Sequence, residues 1–142
     1  MTLADRLGTI ERGLDAMPAA KAKIAFIDDS ITVRQILSQS LAGAGYEPIE
    51  CASWEELQSA MQQRPALVLV DLQMPHHSGA PMVFVLKKQH PETKVIYYSS
   101  ARTSVLRQLV AETGADGFVR KRWDTDELLE AIAGFLGPAA GD

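Results

Sequence analysis

Ala66-Leu67-Val68-Leu69-Val70 is an unbroken apolar run, and it ends on a carboxylate, Asp71. An alternating run would mean one wet face. A continuous one reads as a strand covered on both faces, which is the mark of a central strand in a parallel sheet. Working outward, Lys23-Ile24-Ala25-Phe26-Ile27 and Lys94-Val95-Ile96-Tyr97-Tyr98 have the same character, and Gly117-Phe118-Val119 is a shorter version. Tyr46-Glu47-Pro48-Ile49-Glu50 alternates and contains a proline, which removes a ladder donor and predicts an edge strand.

Helical periodicity fills the gaps between these runs. Val33, Ile36, Leu37 and Leu41 share a face, and Gly43 and Gly45 supply the stop. Ser53 with Glu56 forms a capping box for a helix through Met61. Val83, Leu86 and Lys87 follow Pro81, a residue suited to a first helical turn. Val105, Leu106, Leu109 and Val110 form the next stripe, ended by Gly114. Asp124 or Thr125 is positioned to cap a last helix that turns Leu128, Leu129, Ile132 and Phe135 inward. Five β-α repeats in strict alternation predict a five-stranded parallel sheet with helices on both faces, a (βα)5 three-layer sandwich.

The chain has 142 residues, enough for one domain with a real core. Residues 23–137 are expected to form it. Residues 1–22 are expected to be an amphipathic helical extension, because Leu3, Leu7, Ile10, Leu14 and Met17 step by four and three before Pro18. It packs on its own domain or frays, or else serves as a short dimerisation arm. Residues 138–142 are expected to be a disordered tail. Fourteen basic and 18 acidic side chains leave a net charge of −4, which argues against direct nucleic-acid binding. There is no span-length apolar stretch and no secretion signal, so the expected location is cytoplasmic. The single cysteine, Cys51, excludes an intrachain disulfide and reads as a small buried hydrophobe.

In open parallel sheets the chemistry sits at the carboxyl ends of the strands. There the first strand delivers Asp28-Asp29, the third Asp71, the fourth Ser99-Ser100 and the fifth Lys121. Clustered carboxylates raise one another's pKa unless cations intervene. Lys121 is one such cation, and the rest of the deficit suits a hard divalent ion, Mg²⁺ being the natural choice. A carboxylate held between a metal and a lysine is primed to attack phosphorus, with Ser99 donating to a phosphoryl oxygen. Singly these residues are ordinary. Asp-Asp-Ser after a strand is most often an N-cap, Asp71 also reads as the opening of a turn, Ser99 as a partner of nearby backbone, and a strand-end lysine is usually solvated.

From about Ile24 to Leu136 the sequence resembles the receiver domain of bacterial two-component response regulators. The motifs that carry the resemblance are Phe26-Ile27-Asp28-Asp29-Ser30, Val70-Asp71-Leu72-Gln73-Met74-Pro75 with Gly79, Tyr98-Ser99-Ser100, and Gly114-Ala115-Asp116-Gly117-Phe118-Val119-Arg120-Lys121. The resemblance implies a flavodoxin-like sheet of strand order 2-1-3-4-5. It makes Asp71 the phosphoacceptor and assigns Mg²⁺ to Asp29, Asp71 and the Gln73 backbone carbonyl, with Asp28 acting largely through water. Lys121 would pair with the phosphoryl group, and Ser99 and Phe118 would form the switch. Implied partners are a sensor histidine kinase or histidine phosphotransfer protein as donor and a downstream protein target. A second receiver is also implied, giving a homodimer.

One departure stands out. Arg122 follows Lys121 where family members usually have a cis proline, so a trans link is expected, since a cis bond at a non-proline costs about 2.5–4 kcal/mol. Arg122 and Trp123 would form a basic-aromatic corner. His76 and His77, beside the acceptor, are read as solvated, and Tyr97 and Tyr98 as core. The chain is expected to be no enzyme beyond its own phosphorylation and dephosphorylation, and with no output domain after Leu136, either a stand-alone regulator or an excised domain. The alternative is a pseudo-receiver that binds proteins without ever taking phosphate. An aspartate-nucleophile phosphatase is disfavoured because Gln73, not an acid, lies two residues after Asp71.

Overall fold

The apolar runs pair as parallel strands because each can bury both faces only with helices above and below it. The computed structural model describes residues 21–74, 77–122 and 124–137, with His77 described by its backbone alone. The expected N-terminal helix lies outside these residues, apart from Lys21 and Ala22 ahead of the first strand, and so does the expected tail at 138–142.

Among the described residues the main sheet has five strands: β1 Lys23–Ile27, β2 Glu47–Cys51, β3 Leu67–Val70, β4 Lys94–Ser99 and β5 Gly117–Arg120. Five α-helices alternate with them: α1 Ile31–Gly43, α2 Trp54–Ala60, α3 Gly79–Gln89, α4 Thr103–Thr113 and α5 Asp126–Leu136. The sheet is parallel throughout, in the order β2-β1-β3-β4-β5. This is the flavodoxin-like order, and Pro48 does lie in an edge strand. A short antiparallel ladder, Gln73–Met74 against His77–Ser78, stands outside the sheet just past β3.

Alternation along the strands divides the core in two. Ala25, Ile27, Val68, Val70, Val95 and Tyr97 face α2, α3 and α4, packing with Leu57, Val83, Leu86 and Leu106. Ile24, Phe26, Leu67, Leu69, Ile96, Tyr98 and Val119 face α1 and α5, packing with Leu37, Leu41, Leu128 and Ile132. Both tyrosines are core, as expected. Cys51 is buried as well, and burial pushes its thiol up to about 12, with Glu56 and Glu50 adding to the effect. That thiol stays protonated and unreactive at neutral pH.

The helix ends follow from local chemistry. Ser30 Oγ accepts from Val33 N at 3.2 Å and starts α1, and Ser53 Oγ accepts from Glu56 N at 3.1 Å to start α2. The returning bond of the expected capping box lands one residue earlier than the cap, on Ala52 N, at 2.7 Å from Glu56 Oε1. α2 is also shorter than expected, passing into a single 3₁₀ turn at Met61–Gln63. Gly114 ends α4 at φ +82°, the left-handed region open to glycine. Asp124, through Asp126 N at 2.8 Å, stabilises the start of α5, while the Thr125 hydroxyl turns to Ser40. Two expected inward residues point out: Ile36 is 37% exposed and Val105 43%. At about 100° per residue Ile36 falls a full step from Leu37 and farther still from Leu41, which keep the centre of the buried stripe; Val105 stands a full step from Leu106.

Candidate functional site

β1, β3, β4 and β5 run side by side in one direction, so their carboxyl ends open onto a single rim. Asp28 follows β1, Asp71 follows the adjacent β3, and Lys121 follows β5 on the far side of β4. The lysine side chain spans that gap. Its Nζ lies 2.6 Å from Asp28 Oδ2 and 3.1 Å from Asp71 Oδ2, bringing together residues 93 positions apart in the chain. The Lys121–Arg122 peptide is trans, and this does not take the ammonium away from the carboxylates.

Each carboxylate is held by its second oxygen. Asp28 Oδ1 accepts from Ser30 N at 2.8 Å, and Asp71 Oδ1 accepts from Gln73 N at 3.1 Å. Asp28 is therefore part of the turn that leads into α1 and also a wall of the cluster with Lys121 and Asp71. Arg34 Nη1 donates to the Asp28 carbonyl at 2.6 Å and fixes the same turn from the helix side. Behind Asp71, a Cβ on Gly79 would stand 2.6 Å from the Asp71 carbonyl oxygen, so only glycine lets α3 begin so close.

Asp28 and Asp71 are 3% and 6% exposed. Burial raises the pKa of Asp71, Lys121 lowers it and the charge of Asp28 raises it again; the net direction is up. For Lys121, burial works against the charge, but the hydrogen bond to Asp28 and the charges of both carboxylates outweigh it, and its pKa is also raised. Two carboxylates around one ammonium leave an unbalanced negative charge in a poorly solvated place.

The other expected site residues lie at different distances from this centre. Asp29 is exposed at the rim, and its side chain makes no hydrogen bond or ion pair among the described residues. Gln73 contributes its backbone N–H to Asp71 and turns its side chain out. Ser99 is fully buried, and its hydroxyl accepts from Ala101 N at 3.1 Å rather than meeting Asp71. Phe118 is half-buried against the α2–α3–α4 side of the core and pairs in register with Tyr97, two residues before Ser99. His76 and Trp123, and the side chain of His77, lie outside the described residues. Arg122 Nε reaches Glu127 Oε1 at 2.8 Å on the open surface.

Among the described residues no three His, Cys, Asp or Glu side chains are grouped as a ready metal cage. Mg²⁺ does not require one: it binds through one or two carboxylates and keeps several waters. Asp28 and Asp71 supply hard oxygen donors with excess negative charge, and Asp29 adds a third carboxylate at the exposed rim, so the donor set fits.

Two contacts near or beyond the rim were not legible in the sequence. Tyr98 turns its ring toward Lys121, with Nζ 5.7 Å from the centroid. At the opposite edge of the sheet, Lys87 Nζ bonds to Asp116 Oδ2 at 2.9 Å and to the Thr93 carbonyl at 2.8 Å. The available signal for the second was a lysine on an otherwise apolar helix stripe.

Residues 24–133 match the family model of the response regulator receiver domain. The chain is 30% identical over 117 residues to the probable transcriptional regulatory protein SgaR of Hyphomicrobium methylovorum, covering 80% of this chain and 56% of that protein. It is 32% identical over 121 residues to the probable transcriptional regulator ycf27 of Cyanophora paradoxa, covering 84% and 50%. It thus spans about half the length of these relatives. Among solved structures, the chemotaxis protein CheY4 of Vibrio cholerae superposes with a TM-score of 0.75 at 28% identity, over 81% of this chain and 98% of that one. The response regulator TrrA of Thermotoga maritima, in complex with Mg²⁺-BeF, gives 0.72 at 28% identity, over 81% and 99%.

Proposed function

The chain belongs to the response regulator receiver domain family, whose members are signalling domains, and from that membership we propose that Asp71 accepts a phosphoryl group from a phosphohistidine protein and so switches protein contacts. The observation that carries this reading is the buried Asp28–Lys121–Asp71 cluster, with one ammonium within 2.6 and 3.1 Å of two carboxylates. An Asp71 oxygen attacks phosphorus as the donor's N–P bond breaks; the leaving imidazole nitrogen keeps the electron pair and takes a proton. Lys121, already between the carboxylates, neutralises charge on the phosphoryl oxygens. The Gln73 N–H holds the other Asp71 oxygen and so orients the nucleophile. Asp28 and Asp71, with Asp29 and the Gln73 carbonyl at the rim, would hold Mg²⁺, which when bound supplies the remaining positive charge.

The switch would run through Ser99 and Phe118. Ser99 leaves its bond to Ala101 for a phosphoryl oxygen, and Phe118, on the same side of the sheet, moves into the space this frees. The affected surface is that of α4, β5 and α5, where a downstream protein or a second receiver docks. The donor is a sensor histidine kinase or a histidine phosphotransfer protein, and the setting is the cytoplasm, in keeping with the absence, among the described residues, of any helix long and apolar enough to cross a membrane.

The test is incubation with Mg²⁺ and acetyl phosphate, read by intact-protein mass spectrometry. Wild type gains the mass of one phosphoryl group, and Asp71→Asn gains none. A folded wild type that never gains it is instead a phosphorylation-independent binding module.

A further inference from the structure

We propose that Tyr98 is a positioning residue for Lys121: its ring holds the lysine stem toward Asp28 and Asp71, a task that the residue after the lysine does not perform in this chain. This rests on the proposed role of the Asp28–Lys121–Asp71 cluster. Tyr98 pairs with Val119 in the β4–β5 register, and Lys121 lies two residues past Val119. By strand alternation, the Tyr98 ring and the root of the Lys121 side chain therefore lie on one side of the sheet. The ammonium is 5.7 Å from the ring centroid, within the range of a cation–π contact. One strand end thus holds the lysine twice, since the Ser99 carbonyl also accepts from Lys121 N at 2.9 Å.

The ring is itself held by packing. Tyr98 is 6% exposed and packed in the core shared with Leu37, Ile96 and Val119. Beyond Lys121, Arg122 has no proline ring to restrict its backbone, and its side chain turns away to Glu127. A cavity of about 260 Å³ opens beside the lysine, lined by Val33, Ile36, Leu37, Tyr98, Lys121 and Arg122. It offers the stem somewhere else to go. A Lys121 turned into it leaves both Asp28 and Asp71.

The test combines Tyr98→Phe, Tyr98→Leu and Tyr98→Met with Lys121→Met, folding being checked by circular dichroism. Tyr98→Met keeps much of the volume without a ring, should the Leu variant not fold. Two readouts are used: the rate of acyl phosphate formation with Mg²⁺ and acetyl phosphate, and urea stability without metal. Tyr98→Phe should remain within about twofold of wild type, and the ringless variants should be slower by about two- to fivefold, the range set by a cation–π contact open to solvent, as the 23%-exposed Lys121 side chain is. In the Lys121→Met background, losing the ring should have no further effect on rate, and the metal-free stabilities should show coupling between the two sites. The proposal falls if the ringless variants slow both backgrounds equally, if Tyr98→Phe matches them, or if the stabilities simply add. Wild type that takes no phosphoryl group overturns the function proposed above instead, while the metal-free cycle still decides this contact.

Discussion

Asp71 sits in a place that water scarcely reaches, 6% exposed and facing a second carboxylate. Its pKa lies above the ordinary aspartate value of 3.8, first because of burial. A group whose folded pKa is raised contributes stability below its unfolded value and loses that contribution as pH rises through the folded one. At neutral pH the ionised carboxylate therefore weighs against the fold. Asp71→Asn, which retains the acceptor for Gln73 N–H, should raise the metal-free melting temperature at pH 7. The gain should shrink as pH falls toward the ordinary aspartate value of 3.8, because the folded carboxyl takes up its proton above that value. Scanning calorimetry across that range checks both the sign and the window. Lys121 behaves in the complementary way: its pKa is raised too, so the support of its ion pairs holds below about 10.5 and fades above it.

α3 is tied to the sheet by more than its apolar face. Lys87 Nζ donates to the carbonyls of Pro91 and Thr93 and to Asp116 Oδ2, and the same Asp116 oxygen accepts from Val95 N at 2.8 Å. One ammonium thus joins the end of α3, the turn into β4 and the turn into β5. Lys87→Met leaves these acceptors and a half-buried carboxylate short of a donor. With both side chains partly open to solvent, at 15% and 22%, the expected loss is about 1–3 kcal/mol in urea unfolding. The network stands at the edge of the sheet away from Asp71, so the capacity to form acyl phosphate should survive. Asp116→Lys would be the wrong control, since it reverses a charge; Asp116→Asn keeps an acceptor for Val95 N and should cost less than Lys87→Met.

For the molecule as a whole, metal binding and stability are linked. Any ion that binds only the folded form stabilises it, by about 1.4 kcal/mol at ten times its dissociation constant. Mg²⁺ should therefore raise the melting temperature of wild type by about 4 °C at that concentration. Asp71→Asn should blunt the shift, because it removes one of the two buried carboxylates. An equal shift in both proteins would place the ion elsewhere.

The fold was largely legible in the sequence because its causes are local. The Leu67–Val70 run reads as a strand covered on both faces, Pro48 marks an edge, and Ser30, Ser53 and Gly114 set helix ends through their own side chains or backbone. Chain order then brought Asp28, Asp71, Ser99 and Lys121 to one rim, since parallel strands joined by helices all end on the same side. The tertiary structure alone decided how these groups meet. It chose Asp28 over Asp29 to face Asp71, bonded Ser99 to its own turn, and laid Lys121 beside the Tyr98 ring. It also made Lys87, outwardly a misplaced charge on an apolar stripe, the link to Asp116. Such contacts depend on rotamers and on distances across long sequence separations, and neither is encoded in the period of any one segment.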